Sequence, residues 1–135
     1  MDLHSSKEIY VQGDLIRPWH VSVRIPIRIA SSPNMREHWT AKYRREKRQK
    51  WACIAMLKPH RSQTPCRVVL MRQGPKECDF DNLVASMKHI RDCVSDWILP
   101  GLAAGRADGD SRIQWEYKQE KAKTYALLIE IHGLN

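Results

Sequence analysis

The chain has 135 residues, 42% hydrophobic and 28% charged, which is typical of one folded domain and excludes a disordered chain. Its 23 lysines and arginines exceed its 15 aspartates and glutamates, for a formal net charge of +8. This charge favours a polyanionic partner, nucleic acid above all, although aiding solubility is the alternative. No apolar run approaches the roughly 20 residues that span a bilayer, no secretory signal is visible, and no membrane partner is expected. The four cysteines form no CxxC pair, which argues against a zinc site or a disulfide framework and favours free thiols in the cytoplasm.

The first elements are strand-like. Residues 1–19 show no clear period and are interpreted as an N-terminal arm or a short extra strand. From Val21 to Ile29 apolar and polar residues alternate, which predicts a half-buried strand. Pro26 cannot donate to a strand ladder, so it predicts an edge position or an early end of this strand. Residues 30–34 then predict a turn.

A helix is predicted over Thr40–Leu57, with Pro59 ending it. Its apolar side is predicted to contain Trp39, Tyr43, Trp51, Ile54 and Ala55. The aromatic residues of this set could instead stack on unpaired bases, but Trp51 is expected in the core. Residues 36–50 carry seven cations against two glutamates, an excess of five. Either this is a solvated helix face or, as favoured here, it supplies phosphate contacts from Arg44, Arg45, Lys47 and Arg48.

The second half predicts one more helix and three strands. Arg67–Met71 is a short strand candidate, and a helix from Asp79–Asn82 to about Ile98 carries an apolar stripe, Leu83, Met87, Ile90, Val94 and Trp97. After a loop at 105–110, Ile113–Tyr117 and Tyr125–His132 are predicted to pair as a hairpin. The expected fold is a single α+β domain over residues 1–135, with a small mixed sheet of about four strands and two main helices.

The acidic residues are unevenly placed. Six of the eight aspartates lie between Asp79 and Asp110, in a chain that is basic elsewhere. Carboxylates beside a nucleic acid repel phosphate unless they hold a divalent cation, and their hard oxygens suit Mg²⁺ or Mn²⁺. Such a metal can lower the pKa of a bound water and screen a scissile phosphate.

In a continuous helix, Asp81, Lys88 and Asp92 would lie within about 20° of one another, opposite the apolar stripe. Simpler interpretations remain open for each residue. Asp81 could be only a helix cap, Lys88 and Asp92 only a surface ion pair, and Asp108 and Asp110 only turn residues. His38 and His89 are interpreted as surface or packing residues, because no second ligand stands at metal spacing.

The ordered series Asp79-Phe80-Asp81-Asn82-Leu83, Lys88, Asp92 and Asp108-Gly109-Asp110 before a strand resembles RusA-type Holliday junction resolvases. These crossover junction endodeoxyribonucleases are common in phages and prophages, and the resemblance spans roughly residues 21–131. It implies a RusA-like fold and a homodimer that nicks four-way DNA junctions with Mg²⁺. It also implies that Asp79, Asp81 and Asp108 bind metal, with Asp81 and Lys88 as catalytic residues.

Two departures from the family pattern concern its lysine and its acidic pair. The family lysine usually stands four residues after the second aspartate, where this chain has Ala85, and Lys88 comes three residues later. Asp92 is shifted by the same three residues, so one extra helical turn would explain both. The family's adjacent Asp-Asp pair becomes Asp108-Gly109-Asp110, which leaves open whether Asp108, Asp110 or both reach the metal.

The sequence therefore predicts a Mg²⁺-dependent, or Mn²⁺-dependent, endonuclease acting on branched DNA in the cytoplasm of a bacterial cell or a phage-infected host. One alternative is a DNA-binding protein of the same fold that does not cleave. Another is a basic structural or partner-binding protein without affinity for nucleic acid.

Overall fold

A computed structural model describes residues 9–11, 14–16, 19–30, 38–103 and 105–134. The helices and strands in chain order are β1 (Ile9–Val11), β2 (Asp14–Ile16), β3 (His20–Ile25), α1 (Trp39–Leu57), β4 (Cys66–Gly74), α2 (Phe80–Ser86), α3 (Lys88–Ile98), β5 (Ile113–Lys121) and β6 (Ala126–Gly133). A short 3₁₀ turn, Ala107–Gly109, precedes β5. The predicted α+β class with a mixed four-stranded sheet is confirmed.

The main sheet has the strand order β3-β6-β4-β5. Strands β4 and β5 are parallel, and the other two pairings are antiparallel. At the edge strand β3, Val21, Val23 and Ile25 are buried while Ser22 and Arg24 are exposed, so the predicted alternation is confirmed. The strand ends directly before Pro26, as expected for a residue without a backbone N–H to donate.

The predicted hairpin between the last two strands is wrong. Strands β5 and β6 flank β4 on opposite sides and do not pair with each other. Residues 122–125 instead cross the end of β4, where the Ala122 N–H donates to the Gly74 carbonyl at 2.9 Å. A Cβ atom at Gly74 would lie 3.0 Å from the Tyr125 ring, so this crossing requires the glycine. The fully buried run Val68–Leu70 of β4 fits a central strand, which a local hairpin would not have supplied.

The predicted helix over residues 79–98 is divided in two. Its apolar stripe is confirmed, because Leu83, Met87, Ile90 and Val94 are buried. Met87 stands between α2 and α3 with φ −107° and ψ 7°, outside the helical region. The Ser86 hydroxyl donates to the Leu83 carbonyl at 2.7 Å, a local bond that competes with regular helix pairing. The alignment of Asp81 with Lys88 assumed a continuous helix, so that part of the prediction is wrong.

Helix α1 has the predicted bounds to within one residue but buries a different face. Its buried residues are Gln49, Cys53 and Leu57. The Gln49 amide donates to the Arg28 carbonyl at 2.7 Å and accepts from the His89 ring at 2.6 Å, so a polar side chain is satisfied inside. The predicted apolar side, including Trp51, is exposed, so its assignment to the core is wrong.

The remaining sequence predictions concern the N-terminal segment and the cysteines. Strands β1 and β2 pair antiparallel with each other in a separate two-stranded sheet, so the segment holds two short strands where an arm or one strand was expected. All four cysteines are free thiols. The turn predicted at 30–34 lies largely outside the described residues.

Candidate functional site

Strand β5 positions the segments that carry the candidate acids. Trp115, Tyr117 and Gln119 alternate along one face of this strand. The Trp115 indole N–H donates to the Asp108 carbonyl at 3.0 Å, which fixes the 3₁₀ turn at one end. At the other end, the Gln119 amide accepts from the backbone N–H of Cys78 at 3.0 Å and donates to its carbonyl at 2.6 Å.

Tyr117 joins these two ends. Its ring meets the Phe80 ring edge-on at 6.4 Å, so the start of α2 is held against the middle of β5. Asp79 and Asp81 flank Phe80 in the chain, and Asp108 lies in the turn attached to Trp115. The structure therefore brings the three predicted metal ligands to one strand, although they reach it from two different segments.

Arg91 is the residue that sequence reasoning missed. Its guanidinium donates to the Asp108 carbonyl at 2.8 Å and to the Tyr117 hydroxyl at 3.1 Å. The guanidinium carbon lies 4.6 Å from the centre of the Trp115 ring, within cation–π distance. Its Nε lies 3.5 Å from the Asp108 carboxylate without hydrogen-bond geometry. No pattern in the sequence marks this arginine, because its three partners lie 17 to 26 residues away.

Asp79 and Asp81 present their carboxylates to solvent. Asp79 occupies the N-cap position of α2 without a side-chain capping bond, and Asp81 lies in the first helical turn. Both residues are exposed, and neither forms an ion pair within the described part of the chain. The alternative that Asp81 is only the helix cap is wrong, because Asp79 holds that position.

Asp110 is engaged differently from Asp108. Its carboxylate accepts three hydrogen bonds from Arg112, one from the backbone N–H and two from the guanidinium, at 2.9–3.0 Å. These bonds lower the pKa of Asp110 to about 2. This residue closes the loop before β5, which is the turn role weighed as its alternative.

Lys88 begins α3 with its side chain 74% exposed. Its ammonium lies 3.6 Å from the Asp92 carboxylate, which is the surface pair expected as the simpler interpretation. A role for Lys88 toward a phosphate stays a prediction.

The predicted phosphate contacts on α1 border the segment that carries these acids. Arg44, Lys47 and Arg48 are exposed. Arg45 is half-buried and lines two adjoining pockets, one against residues 27–30 and one against Asn82 on α2. The cationic side of α1 therefore meets the helix that bears Asp81.

His89 packs between α1 and α3, as predicted for a histidine without metal partners. It is buried, and its Nδ1 lies 3.7 Å from the Glu46 carboxylate. Burial, together with the nearby charges of Arg45, Lys50 and Lys42, lowers its pKa to about 4. His38 is exposed and caps α1, where its ring accepts from the Thr40 N–H at 3.2 Å.

The donor chemistry at α2 fits a hard divalent cation. Carboxylate oxygens are what Mg²⁺ and Mn²⁺ prefer, and Asp79 and Asp81 offer theirs exposed and unpaired within the described ranges. Over those same ranges, no three side chains of Asp, Glu, His or Cys are grouped closely enough to hold a metal ion together. Asp108 is engaged by Arg91 and does not join the other two in one cluster.

No family model matches the chain, and no curated protein matches it. Among the described helices, none combines the length and the apolar character that crossing a membrane requires.

Proposed function

We propose that the protein is a metal-dependent endodeoxyribonuclease that nicks branched DNA such as a four-way junction. The observation that carries the proposal is the pair of exposed, unpaired carboxylates, Asp79 and Asp81, on a helix bordered by the cations of α1. Unpaired acids beside a phosphate-binding surface weaken DNA binding unless they hold a cation. The resemblance to RusA-type resolvases supports the same conclusion from the order of the residues.

In this proposal Asp79 and Asp81 hold Mg²⁺ or Mn²⁺, with Asp108 as the third ligand. Asp108 is preferred to Asp110 because Arg112 already occupies the Asp110 carboxylate. When bound, the metal would lower the pKa of a water ligand and screen the charge of the scissile phosphate. Arg91 fixes the turn that carries Asp108 against β5 and acts as a positioning residue.

Lys88 supplies a positive charge toward the phosphate in this mechanism. Its ammonium is exposed and held only by Asp92 in the described part of the chain, so it is free to exchange that partner for a phosphate oxygen. A charge placed there would stabilise negative charge that develops in the transition state. Arg44, Lys47 and Arg48 would contact phosphates farther along the DNA.

Paired nicks in a four-way junction require two sites related by symmetry, so we expect a homodimer acting in the cytoplasm. This expectation rests on the resemblance. Light scattering gives the mass directly, and a monomer that still makes paired nicks would contradict it.

A second candidate is a branched-DNA-binding protein of the same fold that does not cleave. The arginine on Asp108 favours it, because a carboxylate held by a guanidinium is less available to a metal. This candidate predicts junction binding that Mg²⁺ does not convert into cleavage.

The test is incubation of the full chain with a labelled synthetic four-way junction in Mg²⁺ and in EDTA. We expect Asp81→Asn to abolish cleavage and to leave junction binding intact or stronger, because a charge that repels phosphate is removed. The matched control is Asp96→Asn, an exposed acid on α3 away from this site, which should cleave like the parent protein. Equal cleavage by Asp81→Asn and the parent would refute the metal assignment.

A further inference from the structure

We infer that the outward face of α1 is a binding surface for unpaired nucleotides, which stack on its exposed aromatic rings. This face is defined by Tyr43, Lys47, Trp51 and Ile54, all exposed, and is called the aromatic stripe. It deepens the proposed function by naming the feature of branched DNA that the protein would hold. It is tested without metal, so its outcome and that of the cleavage proposal are separable.

The stripe is built by helical spacing. Tyr43, Lys47 and Trp51 follow one another at four-residue intervals, so they lie above one another on one face. Tyr43 is 61% exposed and Trp51 is 65% exposed, which is unusual for large rings on a helix whose other side enters the core. Trp39, at the first residue of the helix, is 73% exposed.

Charge decides what kind of partner fits. Helix α1 carries six cations and one carboxylate between Lys42 and Lys50. The Lys47 ammonium lies 5.8 Å from the centre of the Tyr43 ring, so a cation stands within the stripe itself. Arg44 and Arg48 form the next row of the exposed surface. A ligand that offers flat rings and a negative backbone together matches this surface, and single-stranded DNA has both.

The dimensions also fit bases. Eight residues separate Tyr43 from Trp51, about 12 Å along the helix axis, roughly the length of three stacked bases. A second copy of this chain fits less well. A two-fold contact through the stripe would place the same arginine and lysine rows against each other, and like charges in such a contact are repulsive.

The experiment uses the full chain in EDTA with two labelled probes, an oligo-dT strand and a blunt duplex of the same length. We expect Trp51→Ala and Tyr43→Ala each to weaken oligo-dT binding about tenfold, the scale of losing one base–ring stack. Duplex binding should change less than about twofold, because its bases are not available to stack. Trp51→Phe should restore most of the oligo-dT affinity.

The control variant is Met56→Ala, an exposed apolar residue on the same helix outside the stripe, which should bind both probes like the parent. The salt dependence of oligo-dT binding should not change in Trp51→Ala, because no phosphate contact is removed. Unchanged oligo-dT affinity in both aromatic variants would overturn the inference. An equal loss for both probes, or a changed oligomeric mass with oligo-dT affinity retained, would also overturn it.

Discussion

Arg91 should be one of the most sensitive single positions in the protein. Its guanidinium binds the Asp108 carbonyl at 2.8 Å and the Tyr117 hydroxyl at 3.1 Å, and it stacks on Trp115 at 4.6 Å. Hydrogen bonds from charged groups contribute about 1.5–3 kcal/mol each, and a cation–π contact contributes about 0.5–2 kcal/mol. Because the side chain is 27% exposed, the lower values apply. We expect Arg91→Met to lower the free energy of unfolding by about 3 kcal/mol.

Urea denaturation followed by circular dichroism measures this loss. Tyr117→Phe removes only the hydroxyl acceptor and should cost about 1 kcal/mol or less. The double variant should therefore lose less than the two single variants together, because they share one bond. The control is Arg24→Met on the exposed side of β3, which should change stability by less than about 0.5 kcal/mol. A loss below about 1 kcal/mol in Arg91→Met would refute the reasoning that this arginine fastens the turn.

Three further results are expected. Lys88→Ala should lower junction cleavage by about 10²-fold while leaving stability nearly unchanged, measured by single-turnover kinetics and urea denaturation; full activity would leave Lys88 as a surface pair only. Replacing Arg44, Lys47 and Arg48 together with Ala should flatten the plot of log affinity against log salt by about one unit per lost phosphate contact, and an unchanged slope would mean that these side chains only solvate the helix. His89 has a folded-state pKa of about 4 against 6.5 when unfolded, so the unfolded chain binds the extra proton and stability should fall as pH drops from 6.5 to 4. In His89→Gln this part of the pH dependence of the urea midpoint should disappear, and an identical pH profile would contradict its burial as the neutral form.

Regular apolar spacing made much of the fold predictable. The alternation from Val21 to Ile25 and the stripe from Leu83 to Val94 both identify the faces that enter the core. The stripe survives the break at Met87 because that residue is itself buried and continues the apolar face into α3. The break itself was not predictable, since neither glycine nor proline marks it.

The errors share a physical cause, which is that long-range partners decide burial and pairing. Gln49 is buried on α1 because Arg28 and His89, 21 and 40 residues away, satisfy its amide. The pairing of β5 depends on β4, which occupies the place a local hairpin would have given to β6. At the candidate site the acids were found from their type and order, whereas Arg91 is identified only by contacts that folding creates.

The position of β6 also constrains when the sheet can form. This strand is the last in the described chain, yet it lies between β3 and β4, and it is the only partner of β3 in the main sheet as described. Loop closure over more than a hundred residues must therefore precede the β3–β6 ladder, which favours slow folding. During synthesis, β3 and one edge of β4 remain unpaired until residues 126–133 emerge from the ribosome, and such edges are prone to aggregation. A nascent chain stalled before Ala126 would expose both edges at once.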